Sequence, residues 1–248
     1  MKIGIADYCA KDFDVFRTIQ IAKKLKCNFI QITLNLYEFY KADQEKLEKL
    51  KEIVKEKGDI EVVFHPFIIE FSDENINKII NVMSALGSKI GVFHVPRNIS
   101  IGLLNDIVAR FKNKGMIFAA ENIYPYQIYE NKTGKDGKKH DYYWSIEDFK
   151  KLIKEVPEIK ILLDVAHAHG SGINPADFYR AFRDKIVAFH ISDPLGYSHH
   201  NPLGAGEIDF NAFFKVAKSD DKVFILEIEH MEDKIEESIN KIRKGLNA

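Results

Sequence analysis

Apolar residues in this chain gather in short runs that alternate with longer segments in which they recur every three or four positions. The short runs at 2–6, 29–33, 60–65, 89–94, 116–121, 159–164, 186–190 and 223–227 predict eight strands. Between them, Leu47, Leu50, Ile53 and Val54 stand at helical spacing among lysines and glutamates, as do Ile76, Ile79, Ile80, Met83 and Leu86. Ile235, Ile239, Ile242 and Leu246 form one more such stripe near the end of the chain. Helix-start signals agree with this spacing: Asp43 ahead of the second helix, Ser145-Ile-Glu-Asp148 as a capping box, and Asn174-Pro175 as N-cap and first helical residue.

Eight β-then-α units in succession, without a Pro/Gly/Ser linker or a break in composition, predict a single α/β domain over 1–248: a closed (β/α)8 TIM barrel. An open doubly wound sheet fits less well, because Ala6-Asp7-Tyr8-Cys9 after the first strand has no Gly-x-Gly turn. The connection at 124–144 is long for a barrel and carries Tyr124, Tyr126, Tyr129, Tyr142, Tyr143 and Trp144. It follows the fifth strand, on the rim where barrel strands end, and is read as a lid or substrate wall anchored by its aromatics.

Composition narrows the classes. An apolar fraction of 46% and a net charge of −1 argue against disorder and against a broad cationic surface for nucleic acid. Two cysteines, Cys9 and Cys27, make no disulfide framework, which suits a reducing compartment. Met1-Lys-Ile-Gly-Ile runs straight into a strand pattern without an export leader, and no apolar run is long enough to span a bilayer. The expectation is a cytoplasmic protein with no membrane partner; oligomeric state is open.

The chemistry lies at the strand ends. The third strand closes on His65, the fourth on His94, the fifth on Glu121, the sixth on Asp164, the seventh on His190 and the eighth on Glu227. Strand residues alternate between faces, so Val63, Val92, Ala119, Leu162, Ala188 and Ile225, two positions back, share the inward face and are all apolar. Polarity is thus concentrated in one layer at the mouth. Desolvating three carboxylates and three imidazoles together costs several kcal/mol each unless they are paired, and divalent cations pair such a set. His167 follows one turn after Asp164, and His200 lies in the Gly-rich loop after His190. A lone histidine at a strand end is more often structural; the pattern across six strands is what implies metal. His140 reads as solvent-exposed, His169, His199 and His230 as ambiguous, and Glu229 as a rim hydrogen-bond partner.

The motifs Phe64-His65-Pro-Phe, Phe93-His94-Val-Pro, Ala120-Glu121-Asn122, Leu163-Asp164-Val-Ala-His167, Phe189-His190-Ile-Ser-Asp193, His200-Asn-Pro-Leu-Gly204-Ala-Gly206-Glu-Ile-Asp209 and Leu226-Glu227 together resemble the xylose-isomerase-like and endonuclease IV superfamily of metal-dependent TIM barrels, over essentially the whole chain. The sugar-isomerase branch implies a core ion on Glu121, Asp164, His190 and Glu227, with Glu121 and Glu227 shuttling a proton and His167 contacting the substrate, a sugar or sugar phosphate. The endonuclease IV branch implies further ions, on His65, His94 and Glu121 and on His167 with His200, and abasic DNA as partner. Between them the branches imply one to three divalent ions drawn from zinc, manganese, cobalt and magnesium.

Departures favour the sugar branch. Ser198 stands where the nucleases have a third-site aspartate. The second-strand loop, Thr33-Leu-Asn-Leu-Tyr37-Glu-Phe-Tyr-Lys, is poor in DNA-probing side chains, and Ile68 falls near the place of their DNA-contacting aromatic. Isomerase or epimerase is therefore the leading expectation, an abasic-site endonuclease the alternative, and a non-catalytic carbohydrate- or metal-binding barrel the second alternative.

Overall fold

The computed structural model describes residues 1–35, 44–67, 70–123, 144–196, 198, 200–218 and 221–248. Eight parallel strands close a barrel in chain order: β1 Lys2–Ala6, β2 Phe29–Asn35, β3 Glu61–Phe67, β4 Ile90–Phe93, β5 Ile117–Glu121, β6 Lys160–Asp164, β7 Ile186–Ile191 and β8 Val223–Leu226, with β8 returning to β1. Helices α1 Val15–Lys24, α2 Gln44–Lys55, α3 Asp73–Leu86, α4 Ile101–Asn113, α5 Ile146–Glu155, α6 Val165–Gly170, α7 Pro175–Phe182, α8 Phe210–Ala217 and α9 Ile235–Asn247 fill the connections. The predicted (β/α)8 barrel is therefore the fold. Among the described residues no helix is long and apolar enough to cross a membrane.

The local signals act as their chemistry requires. Ser145 Oγ accepts from the backbone N–H of Asp148, whose carboxylate accepts from the backbone N–H of Ser145, forming the capping box that starts α5. Asn174 caps α7 through the N–H of Ala176, with Pro175 in the first turn. Asp43 lies outside the described residues. Most strands differ from their predicted bounds by a residue or two: β4 and β8 stop at Phe93 and Leu226, just before His94 and Glu227, while β3 continues past His65 through Pro66 to Phe67, where β2, itself running on to Asn35, pairs with it as far as Asn35↔Phe67. The β3–β4 ladder stops earlier, at Phe64↔Gly91, so Pro66, which lacks an N–H, lies beyond it.

Val63, Val92, Ala119, Leu162, Ala188 and Ile225 are wholly buried and form the apolar filling beneath the mouth. Gln31, in register with Val63, interrupts that filling and is equally buried. A second apolar layer lies between sheet and helices. Phe93 and Phe118 stack at 4.2 Å with Phe111 edge-on to both, and Phe189 packs among Tyr179, Phe213 and Phe224. Cys9 and Cys27 are buried free thiols, and Cys9 Sγ donates to the carbonyl of Leu226.

Phe189 is wholly buried in one of these joints between barrel and helices. Phe189→Ala is expected to cost about 3–5 kcal/mol, read as a lower denaturation midpoint in urea. A loss under about 1 kcal/mol would mean that this layer repacks freely.

Candidate active site at the barrel mouth

Each strand-end residue singled out in the sequence lies at the carboxyl end of the barrel. Glu121, at the end of β5, is the hub, and its two oxygens face different neighbours. Oε2 lies 3.0 Å from His65 Nε2 and 3.1 Å from His94 Nε2. Oε1 lies 3.1 Å from His190 Nδ1 and 3.4 Å from His167 Nδ1. His190 Nδ1 is also 3.1 Å from Glu227 Oε2 and 3.6 Å from Asp164 Oδ2. Two groups of ligand-type atoms, each within 4.8 Å of one another, result: His65, His94 and Glu121, and then Glu121, Asp164, His190 and Glu227. They share Glu121.

Backbone ties set this geometry. The Asn122 side chain donates to the carbonyl of Asp164 and accepts from its N–H, locking β5 to β6 beside the two carboxylates. Asp164 then divides its own carboxylate. Oδ1 accepts from the N–H of His167 and caps α6, while Oδ2 is buried without a hydrogen-bond partner among the described residues. His167 Nδ1 donates to the carbonyl of Asn122 at 3.0 Å, which fixes how its ring is turned.

After β7, Asp193 holds the Gly-rich loop by accepting from the N–H groups of Gly204 and Ile208. A Cβ at Gly206 would lie 2.0 Å from the carbonyl oxygen of Pro194, so this close approach requires glycine. The loop brings His200 to the edge of the cluster, its Nδ1 3.8 Å from Glu227 Oε2 and its ring centroid 5.8 Å from that of His167. Ser198 is exposed and donates to Asn201 Oδ1.

Burial and charge shape the protonation of the cluster. Burial works against charge on Glu121, but His190 and His94 outweigh it and hold the carboxyl well below its ordinary range. Burial likewise opposes charge on His190, yet Glu227 and Glu121 keep the imidazole well above its ordinary range. His167 follows the same logic: burial opposes charge, Asp164 and Glu121 outweigh it, and the group is raised to about 9. Burial pushes Glu227 up to about 7, with Glu121 and Asp164 adding to the rise. His65 and His200 are pushed down to about 4, chiefly by burial.

Other histidines lie apart. His169 meets Glu207 at 3.7 Å, and His230 Nδ1 donates to the carbonyl of Ala10. Glu229 is exposed, and its backbone N–H donates to the carbonyl of His200. His140, His199, Tyr37, Ile68 and most of the 124–144 loop lie outside the described residues. The end of that loop is Trp144, buried, whose indole N–H donates to the carbonyl of Val95.

Two contributors escape a reading of strand ends. Asn122 is adjacent to a ligand-type residue, but nothing in the sequence says that its side chain binds backbone. Gln31 donates through Nε2 to Glu227 Oε1 and meets His190 Nε2 through Oε1. Its one sequence signal is an amide at an inward position of the apolar strand Phe29-Ile-Gln31-Ile-Thr33.

A sequence model described as xylose isomerase-like TIM barrel matches residues 19–245. No curated protein matches the chain. Among solved structures, a D-tagatose 3-epimerase-like protein superposes over 100% of this chain and 97% of its own, with a TM-score of 0.73 and 18% identity. A D-allulose 3-epimerase from Methylomonas sp., in complex with D-allulose, covers 98% of this chain and 96% of its own, at TM-score 0.74 and 16% identity. The probable 3-DHS dehydratase AsbF from Bacillus anthracis covers 98% and 99%, at 0.73 and 14%. Identities this low make the likeness one of fold.

The protons on Glu227 and His190 occupy the sites a cation needs. Zinc uptake is therefore expected to strengthen as pH rises from about 6 to about 8, by about tenfold per unit for each proton displaced. Calorimetry in buffers of different ionisation heat reads the released protons. Uptake that neither strengthens nor releases protons across this window would mean that the cation does not enter this cluster.

Proposed function

The chain belongs to the xylose isomerase-like TIM-barrel family, and from that premise we propose that it is a divalent-metal-dependent isomerase or epimerase acting on a sugar or sugar phosphate. The observation that carries this reading is the pair of buried carboxylates, Glu121 and Glu227, that meet the same His190 nitrogen beside Asp164. The donor set fits a divalent ion. Three carboxylates and one imidazole are gathered within 4.8 Å, and the buried Asp164 Oδ2, with no hydrogen bond among the described residues, faces the same space.

Glu121, Asp164, His190 and Glu227 would hold the ion. A divalent cation there supplies Lewis-acid polarisation of a carbonyl and stabilises negative charge developing beside it. The protein's own part is proton transfer. One glutamate takes the proton from a carbon next to the carbonyl, and the other returns a proton to the same carbon or its neighbour, giving epimer or isomer respectively. His167, anchored by its Nδ1 to Asn122, orients a substrate hydroxyl. The buried walls around the cluster limit water and favour return of the proton to carbon.

The His65–His94–Glu121 group favours a second reading, in which further ions make the barrel an abasic-site endonuclease of the endonuclease IV kind. The discriminating experiment incubates the metal-loaded protein with keto-sugars, polyols and their phosphates in deuterated water. Deuterium is expected at a carbon next to the carbonyl of at least one substrate. Glu121→Gln and Glu227→Gln should each slow the exchange about 10²–10⁴-fold, with metal content measured alongside. No deuterium in any substrate, together with chelator-sensitive nicking of an abasic duplex, would replace this reading with the nuclease.

A further inference from the structure

We propose that Gln31 is a positioning residue that selects which nitrogen of His190 and which oxygen of Glu227 face the cation site. The inference rests on the metal-site reading above. It concerns a residue of β2, three strands before Glu121 in chain order and outside the strand-end pattern that defines the cluster.

Gln31 is fully buried and makes two side-chain contacts of known polarity. Its Nε2 lies 2.9 Å from Glu227 Oε1. A carboxylate oxygen accepts, so the amide nitrogen must point there. That leaves Gln31 Oε1 against His190 Nε2 at 2.7 Å. An amide oxygen also only accepts, so Nε2 of His190 must carry hydrogen. A neutral imidazole has one N–H, and with that hydrogen on Nε2 its lone pair is on Nδ1. Nδ1 is the atom 3.1 Å from Glu121 Oε1, 3.1 Å from Glu227 Oε2 and 3.6 Å from Asp164 Oδ2. The same amide occupies Glu227 Oε1 and leaves Oε2 turned into the cluster.

One side chain thus sorts two ligands at once. Turning the amide over would set Oε1 against the carboxylate and NH₂ against the imidazole N–H, losing both bonds. The alternative, a merely satisfied core amide, makes no demand on which His190 nitrogen binds a cation. Partners that hold a ligand's other nitrogen commonly change metal affinity by 10–100-fold.

The test uses zinc alone, without substrate, so it is independent of whether the protein turns over a sugar. Long-range ¹H–¹⁵N spectra of the zinc-loaded wild-type protein should show His190 protonated at Nε2 and metal-bound at Nδ1. This needs no variant and is unaffected if variants fail to fold. Gln31→Met, of similar shape, should weaken zinc binding about 10–100-fold. Folded Gln31→Glu keeps an acceptor for Nε2–H but loses the donor to Glu227, so its affinity should fall while His190 stays metal-bound at Nδ1. His190 metal-bound at Nε2, or wild-type affinity in folded Gln31→Met, would overturn the proposal while leaving the metal site intact. His190 metal-bound at Nε2 in folded Gln31→Glu would also overturn it, because the acceptor would then not select the nitrogen. Failure of the wild-type protein to take up zinc would remove the metal-site reading and this proposal together.

Discussion

The mouth of this barrel is governed by the cost of crowding charge where water is scarce. Glu121, Asp164 and Glu227 are almost fully buried, and so is His190 among them. Isolated carboxylates at such depth are strongly unfavourable, and the structure answers with imidazoles. Glu121 alone is shared by four of them: His65 and His94 at one oxygen, His190 and His167 at the other. Because Glu121 and His190 each face more than one partner, removing either leaves opposite charge buried and less well matched. A divalent cation would relieve the same conflict with fewer protons.

Holding the groups in place is a separate task, and backbone does most of it. The Asn122 side chain closes a two-bond ring with the backbone of Asp164, so the ends of β5 and β6 move together. Asp164 caps α6 with one oxygen and turns the other into the cluster. Asp193 gathers two N–H groups of the loop that carries His200. Each tie is a side chain bound to main chain next to a ligand-type residue. The positions of Glu121 and Asp164 are therefore fixed at the strand ends themselves.

This division explains what could be read from the sequence. Strands and their alternation follow from apolar periodicity, so the barrel and the inward direction of His65, His94, Glu121, Asp164, His190 and Glu227 were legible. The caps at Ser145 and Asn174 were legible for the same reason: their chemistry is local. Gln31 was not, because its partners come from β7 and β8, 159 and 196 residues away. Only closure of the barrel brings them together. The ties made by Asn122 and Asp193 depend on backbone positions that periodicity does not define. The extension of β3 to Phe67 is carried by pairing with β2 rather than by the apolar run, and Pro66 is tolerated there because the β3–β4 ladder has already ended.

The shared position of Glu121 also bears on the choice between the two proposed readings, sugar isomerisation and phosphodiester hydrolysis. A cation among Asp164, His190 and Glu227 would draw on Glu121 Oε1 and leave Oε2 to His65 and His94. Burial keeps His65 neutral, pushed down to about 4, so it can donate a hydrogen bond or offer a lone pair without bringing charge. As a donor it steadies Glu121 for a single ion and a sugar; as a ligand it helps to hold a second. The strand-end residues therefore do not by themselves choose between the two. The choice passes to what surrounds them, and in this chain Ser198 is turned to Asn201 at the surface, while His200 stands beside Tyr8 and His167 with Glu227 Oε2 3.8 Å from its Nδ1. Ser198 adds no carboxylate of its own to this pair of imidazoles, which weakens it as a seat for a further ion and leaves it suited to hydroxyl groups, which accept and donate in turn.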